Sequence, residues 1–208
     1  WSMLLKLEKS RPSCTLTAQP GPAIGPFHWR SRRLSAAELG ARNLLCVSSD
    51  PDMAATTAKF QTLVDAAAGT GVRVNLEFGI FTEVKSIHMA RAILEQVEGE
   101  AKALLVDTLH WARSGGTAEE LASIPREWLS YCQPCDAPAQ GPDIASFDAI
   151  IDDAINRRMA LGTGGLPLAA MVDALPDHPE IDVVTCRQEG GVAFMACADG
   201  AMNAAGSG

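Results

Sequence analysis

The chain lacks any apolar run approaching the ~18 residues that can cross a bilayer, so no transmembrane helix is expected. Its first residues, WSMLLKLEKSRPSC, place a short apolar patch ahead of the charges, the wrong order for a secretory signal. Basic charge is also scarce. Lys and Arg number 17 against 25 Asp and Glu, a formal net charge of −8, and no basic stripe stands out. That balance argues against a nucleic-acid backbone as the partner. No G-x-G-x-x-G follows the first strand-like segment, and GTGG at 162–165 is too short to replace it, which disfavours a dinucleotide fold. Nor does a second close cysteine pair complete a zinc knuckle with Cys132 and Cys135; Cys14, Cys46, Cys186 and Cys197 are scattered. In an acidic chain without an export signal, the thiols are expected to be reduced and mostly buried, and the protein cytoplasmic.

What is present is enough apolar material, 47% of 208 residues, for one domain with a substantial core. Residues 1–34, rich in Arg, Pro, Ser and Gly, hold no sustained period and read as an irregular leader. A domain is expected over residues 35–185, and a flexible Gly/Ala-rich tail over 186–208. Within the domain, short apolar runs alternate with amphipathic ones. Gly40 stops a first helix and a strand covers Asn43–Val47; Ser49 or Asp50, ahead of Pro51, then caps a helix with Phe60, Leu63, Val64 and Ala67 on one face. Gly69 and Gly71 close that helix, and VRVNLEFG is the next strand, ending in Glu77. Ser86 opens a helix whose inner face is Ile87, Ala90, Ile93, Leu94 and Val97. ALLVD is a strand, Thr117 and Glu120 make a capping box, and WLSYCQ is a further strand. A helix over SFDAIIDDAINRRMA is expected to bury Phe147, Ile150, Ile151, Ala154 and Ile155, with Asp152, Asp153, Arg157 and Arg158 as solvated ion pairs. IDVVTC is the last strand.

Strand and helix alternating in this way imply a parallel sheet covered by helices. The polar residues then single out a barrel. Glu77, Asp107 and Gln133 each end a different strand, the position from which (β/α)8 barrels deliver active-site groups. A carboxylate at the end of an apolar strand such as ALLVD is costly to bury alone and needs a metal, a cation or a catalytic task. The resulting oxygen-rich set suits Mn²⁺, Mg²⁺, Co²⁺ or Zn²⁺. Such a cation could hold a sugar's oxygens and stabilise an enediolate, with Glu77 both a ligand and the group that shuttles the proton. His110, three residues beyond Asp107, could hydrogen-bond a substrate oxygen, and Trp111 could wall a sugar pocket. His88 reads as a surface or helix-packing residue; His28 and His178 show no partner.

At these residues the chain resembles the xylose-isomerase-like TIM-barrel superfamily of sugar phosphate isomerases and epimerases, over roughly Leu34 to Val184. VDTLHWARSG and CQPCDAP are the most specific pieces; AAELGARNLL, GVRVNLEF and RRMALGTGGLPLAAMVDALP support them. The resemblance implies an incomplete (β/α)8 barrel of about six parallel strands with outer helices. It implies metal ligands at Glu77, Asp107 and Gln133, with Glu77 and His110 catalytic. Substrate contacts would fall on His110, Arg113, Asp136 and Trp111, with Arg113 placed for an anionic group. The partner implied is a sugar or sugar phosphate.

The chain departs from that pattern in three places. The first two βα units are missing or replaced by the leader, leaving two open edges that a second copy of the chain could cover. The closing strand has Val184 where the superfamily has a metal-binding Glu, with Asp182 two residues earlier as a substitute. The Pro-Gly-Glu-Gly turn reads Leu161-Gly162-Thr163-Gly164. The functional expectation is therefore a metal-dependent sugar (phosphate) isomerase or epimerase, with a catalytically inactive barrel remnant or binding protein as the alternative. A keto-polyol dehydratase is a close variant. An AP endonuclease fits less well, because that task wants a multi-metal site and the chain has 4 His.

Overall fold

The strands are β1 (Met3–Glu8), β2 (Asn43–Ser48), β3 (Arg73–Glu77), β4 (Lys102–Asp107), β5 (Leu129–Gln133) and β6 (Asp182–Val183), of which β2 to β5 are short, mostly apolar segments buried on both faces. The computed structural model describes residues 3–8, 37, 40–175 and 182–183, and sets these strands in one open sheet in that order. β2 to β6 run parallel. β1 is antiparallel to β2, in register from Met3 opposite Ser48 to Glu8 opposite Asn43. Two expectations change here: one of the six strands is not parallel, and part of the stretch read as irregular is a strand. The reason lies in the edge of β2, whose unpaired backbone groups accept any extended segment that can complete the ladder. Expectations for His28, His178, Val184 and the 186–208 tail lie outside the described residues.

The helices are α1 (Met53–Ala67), α2 (Ile87–Gln96), α3 (Thr108–Arg113), α4 (Ala118–Ala122), α5 (Phe147–Asn156) and α6 (Leu168–Ala174). Ser86 caps α2, and Thr117 with Glu120 forms the expected box on α4. The cap of α1 is Asp52, not Ser49 or Asp50; its carboxylate accepts from the N–H groups of Ala54 and Ala55. Pro51 disfavours the helical region for the residue before it, so the first turn begins beyond it. Asp50 instead accepts from Asp52 N and pairs with Lys59.

One face of the sheet (Cys46, Val74, Leu76, Leu104, Val106, Cys132) packs on the apolar stripes of α1 and α2. The other gathers Leu45, Val47, Leu105 and Tyr131. On the same face, Asn43, Asn75 and Ser130 form a partly buried network: Ser130 Oγ lies 2.9 Å from Asn43 Oδ1 and 2.6 Å from Asn75 Oδ1. Consecutive Ser130 and Tyr131 both serve this inner face because β5 bulges. Leu104 pairs with Leu129, but Val106 pairs with Cys132. The extra residue in β5 breaks the two-residue alternation.

α5 departs from expectation. Ile150, Asp153 and Ala154 are its buried residues, while Phe147 is 63% and Ile155 37% exposed. Asp153 joins the inner face because it pairs with buried Arg113, and this turns the helix so that Phe147 and Ile155 face outward. Accordingly, Ile150→Ala should cost about 2–3 kcal/mol in urea unfolding, whereas Phe147→Ser should stay within about 0.5 kcal/mol of the parent.

Candidate functional site

Three neighbouring parallel strands end in polar groups that the sheet buries: Glu77 on β3, Asp107 on β4 and Gln133 on β5. Asp107 and Gln133 stand opposite each other in the ladder. Asp107 is also the N-cap of α3, and its Oδ1 accepts from Leu109 N (2.9 Å) and His110 N (3.2 Å). This cap fixes the path of the chain after β4 and brings the buried His110 ring back over the strand ends. The imidazole Nε2 lies 3.8 Å from Glu77 Oε1. Its ring lies against Phe81, with centroids 4.6 Å apart. Gly79 permits that approach, since a Cβ there would come within 2.7 Å of the Phe81 ring and 3.1 Å of His110 Cγ. One ligand atom from each of Glu77, Asp107 and His110 falls within 4.8 Å of the others.

The second oxygen of Asp107 has a partner that the sequence pattern placed in solvent. Arg158 is buried, and its Nη1 lies 2.6 Å from Asp107 Oδ2 and 3.2 Å from Cys135 Sγ. Its Nη2 is 3.1 Å from His110 Nε2, and its Nε donates to Ala154 O at 2.7 Å. A guanidinium has only N–H donors, so Nε2 of His110 is the acceptor here and the imidazole proton sits on Nδ1. Burial raises the pKa of Asp107, but the charge of Arg158, then the neighbouring His110 and the hydrogen bonds from Arg158 and the His110 N–H, hold it below the usual carboxylate range. The signal that could have found Arg158 was Asp107 itself, a buried carboxylate in need of a cation. An Arg pair at the end of a helix leaves open which member faces inward.

The remaining candidates have other partners. Arg113 forms a salt bridge with Asp153 (Nε to Oδ2, 2.8 Å) and donates from Nη2 to Pro138 O, tying α3 to α5 and the loop after β5. Asp153 is therefore buried in an ion pair, a correction to its expected exposure. Asp136 accepts from the N–H groups of Ala137, Gly164 and Leu166 at 2.8–3.0 Å. Against the opposing effect of burial, those donors keep its pKa low. Gly164 is required there, because a Cβ would come within 2.4 Å of Asp136 Oδ1. Trp111 is 2% exposed and belongs to the core under the helices, with Gly116 against its ring. Cys132 and Cys135 are buried thiols; burial, with Asp107, pushes Cys132 up to about 12 and Cys135 up to about 11. Asp182 pairs with Tyr131, two residues below Gln133 along the sheet.

No family model matches the chain. A stretch of 101 residues is 35% identical to the type II methyltransferase M.SacI of Streptomyces achromogenes, taking in 47% of this chain and 24% of that protein. Among solved structures, the zinc-bound IolI protein is similar with a TM-score of 0.64 at 18% identity, over 85% of this chain and 69% of IolI. A xylose isomerase-like TIM barrel/4-hydroxyphenylpyruvate dioxygenase fusion protein reaches 0.68 at 16% identity, over 83% of this chain and 29% of that one. D-allulose 3-epimerase from Methylomonas sp., solved with D-allulose, reaches 0.55 at 20% identity, over 82% of this chain and 58% of the epimerase. The chain therefore has the fold of the xylose isomerase-like TIM barrels over the part it spans. No helix among the described residues is long and apolar enough to cross a membrane.

Asp107→Asn keeps an oxygen for the α3 cap but leaves Arg158 buried without its counter-charge, which should cost about 3–5 kcal/mol in chemical unfolding. The folded pKa of Asp107 is depressed, so the stability it contributes is complete above the unfolded value near ~4 and is lost as pH falls through the folded one. The parent should lose stability over that acid range, and Asp107→Asn should show a flatter acid limb.

Proposed function

We propose that the chain is a metal-dependent sugar or sugar-phosphate isomerase or epimerase, moving a proton between adjacent carbons of its substrate. The observation that carries this reading is the convergence of Glu77, Asp107 and His110, with ligand atoms within 4.8 Å, at the mouth where this fold presents its chemistry. Two carboxylates and a neutral imidazole are a donor set that fits a divalent cation such as Mn²⁺, Co²⁺ or Zn²⁺, with Mg²⁺ favoured less by the nitrogen. Glu77 and Asp107 would hold it, with Gln133 or His110 completing the set. When bound, the cation supplies Lewis-acid stabilisation of the oxygen charge that develops as the proton leaves. IolI, of the same fold, was solved with zinc, and the Methylomonas epimerase with a ketose, which supports both the metal and the substrate class.

The chain's own groups have separable tasks. Glu77, buried at the end of β3, would accept a proton from one carbon and deliver one to its neighbour, exchanging with solvent between the two steps. His110, with its proton on Nδ1, would accept a hydrogen bond from a sugar hydroxyl at Nε2 once Arg158 Nη2 gives up that lone pair. Phe81 and Gly79 set the plane of that ring. Asp136 orders the glycine-rich turn from the side rather than facing substrate, and Arg113 braces the helices.

A second reading has its own support. Arg158 already engages Asp107 Oδ2 and His110 Nε2, so the Asp107 charge is paired without a metal, as in an inactive barrel serving as a binding protein. One experiment separates the two. With Mn²⁺, Co²⁺ or Zn²⁺ added, the enzyme reading expects deuterium from D2O to enter a ketose or ketose phosphate at the carbon beside the carbonyl, followed by NMR. Glu77→Gln should slow that exchange by about 10²-fold or more. Absence of exchange across a panel of ketoses, with each metal, would rule for the binding protein.

A further inference from the structure

We infer that Arg158 is a built-in counter-ion of the site, which a divalent cation must displace from Asp107 and His110 in order to bind. The inference rests on the metal-dependent reading above and goes beyond it, because it makes the metal affinity of this chain a property of Arg158.

The argument is one of occupied lone pairs. Asp107 Oδ1 already accepts two backbone N–H groups, which leaves Oδ2 as the oxygen with capacity for a cation. Oδ2 is the atom that Arg158 Nη1 holds at 2.6 Å. His110 Nε2 has a single lone pair, and Arg158 Nη2 faces it at 3.1 Å. That nitrogen is also the one turned toward Glu77, 3.8 Å from Oε1. An ion seated among the three residues would contend with the guanidinium for both atoms and would meet its positive charge at close range. Two cations in a pocket of low dielectric repel strongly.

Arg158 is not held by that pocket alone. Its Nε is anchored to Ala154 O at the end of α5, and the next residue, Met159, forms a two-way backbone bridge with Asp136. The backbone can therefore stay in place while the guanidinium end leaves, as a long side chain with several rotatable bonds allows. The chain thus folds around a satisfied ion pair in the absence of metal, and the metal has a defined competitor.

The test compares the parent with Arg158→Met and Arg158→Lys, each stripped with EDTA and then titrated with MnCl2 by calorimetry and thermal unfolding. Arg158→Met removes the competitor and leaves Asp107 buried without its partner. It should unfold at lower temperature in EDTA, regain that loss with Mn²⁺, and bind Mn²⁺ at least about ten-fold tighter than the parent. Arg158→Lys, whose single ammonium cannot serve both partners with the same fork, should lie between and keeps the test open if the Met variant fails to fold. As an independent readout, ZnCl2 added to parent protein carrying ¹⁵N-histidine should move the Nε2 resonance of His110 from its hydrogen-bonded position. Equal or weaker Mn²⁺ binding by both variants, with binding to the parent intact, overturns the inference and leaves the metal-dependent reading standing. No binding of Mn²⁺ by parent or variants overturns both.

Discussion

Two opposite charges are taken out of water at the mouth of the sheet, on Asp107 and Arg158, and the arrangement around them follows from keeping that pair intact. Asp107 ends β4, caps α3 and holds Arg158. Arg158 in turn satisfies the Ala154 carbonyl at the end of α5. Strand, following helix and a helix far along the chain are thereby pinned to one carboxylate. A buried ion pair adds little net stability compared with well-packed apolar residues, but losing one partner is severe. The pair therefore acts less as a source of stability than as a constraint on position. It sets where α3 starts, where α5 stops, and which way His110 presents its nitrogen.

The same solution recurs nearby with different chemistry. Asp153 is neutralised by Arg113, across from α5 to α3. Asp136 has backbone N–H donors instead of a cation, and these fold the turn around Gly164 onto the loop after β5. The two arrangements meet at the bridge between Asp136 and Met159, so the residue beside Arg158 is held by the turn that Asp136 organises. Buried carboxylates on this side of the sheet each tie a loop to a neighbour, which is how short connections lacking a large apolar core of their own are kept in place.

This also explains what the sequence could reveal. The strands ending in Glu77, Asp107 and Gln133 were legible because an apolar run that stops at a polar residue marks both the element and its mouth. The inner faces of α1 and α2 were legible because their burial follows the apolar period alone. α5 was not, because its buried face is chosen partly by Asp153, a charge that looks solvated until its partner 40 residues away is known. Arg158 escaped for the same reason, its partner lying 51 residues back. The cap of α1 was misplaced because Ser49, Asp50 and Asp52 all offer an oxygen, and the choice depends on the geometry at Pro51. The antiparallel β1 had no signal beyond the open edge that it covers.

The inner face of the sheet gives a physical reason for a cation at this mouth at all. Along β2, Asn43 precedes Leu45 and Val47; along β3, Asn75 precedes Glu77, which stands opposite Leu105; and along β4, Leu105 precedes Asp107. Glu77 and Asp107 lie two residues beyond Asn75 and Leu105, so alternation puts them on that same face. The apolar side chains beside them, Leu105 opposite Glu77 among them, remove polarisable material from one side, and Phe81 and His110 close in on another. Charges so placed interact through a low effective dielectric, where the cost of an uncompensated carboxylate and the gain from a nearby cation both grow. Two ionised carboxylates in that space call for positive charge. Arg158 supplies one unit of it from within the chain, and the second carboxylate, Glu77, is what would make a divalent ion a rival to the guanidinium rather than a mere replacement for it.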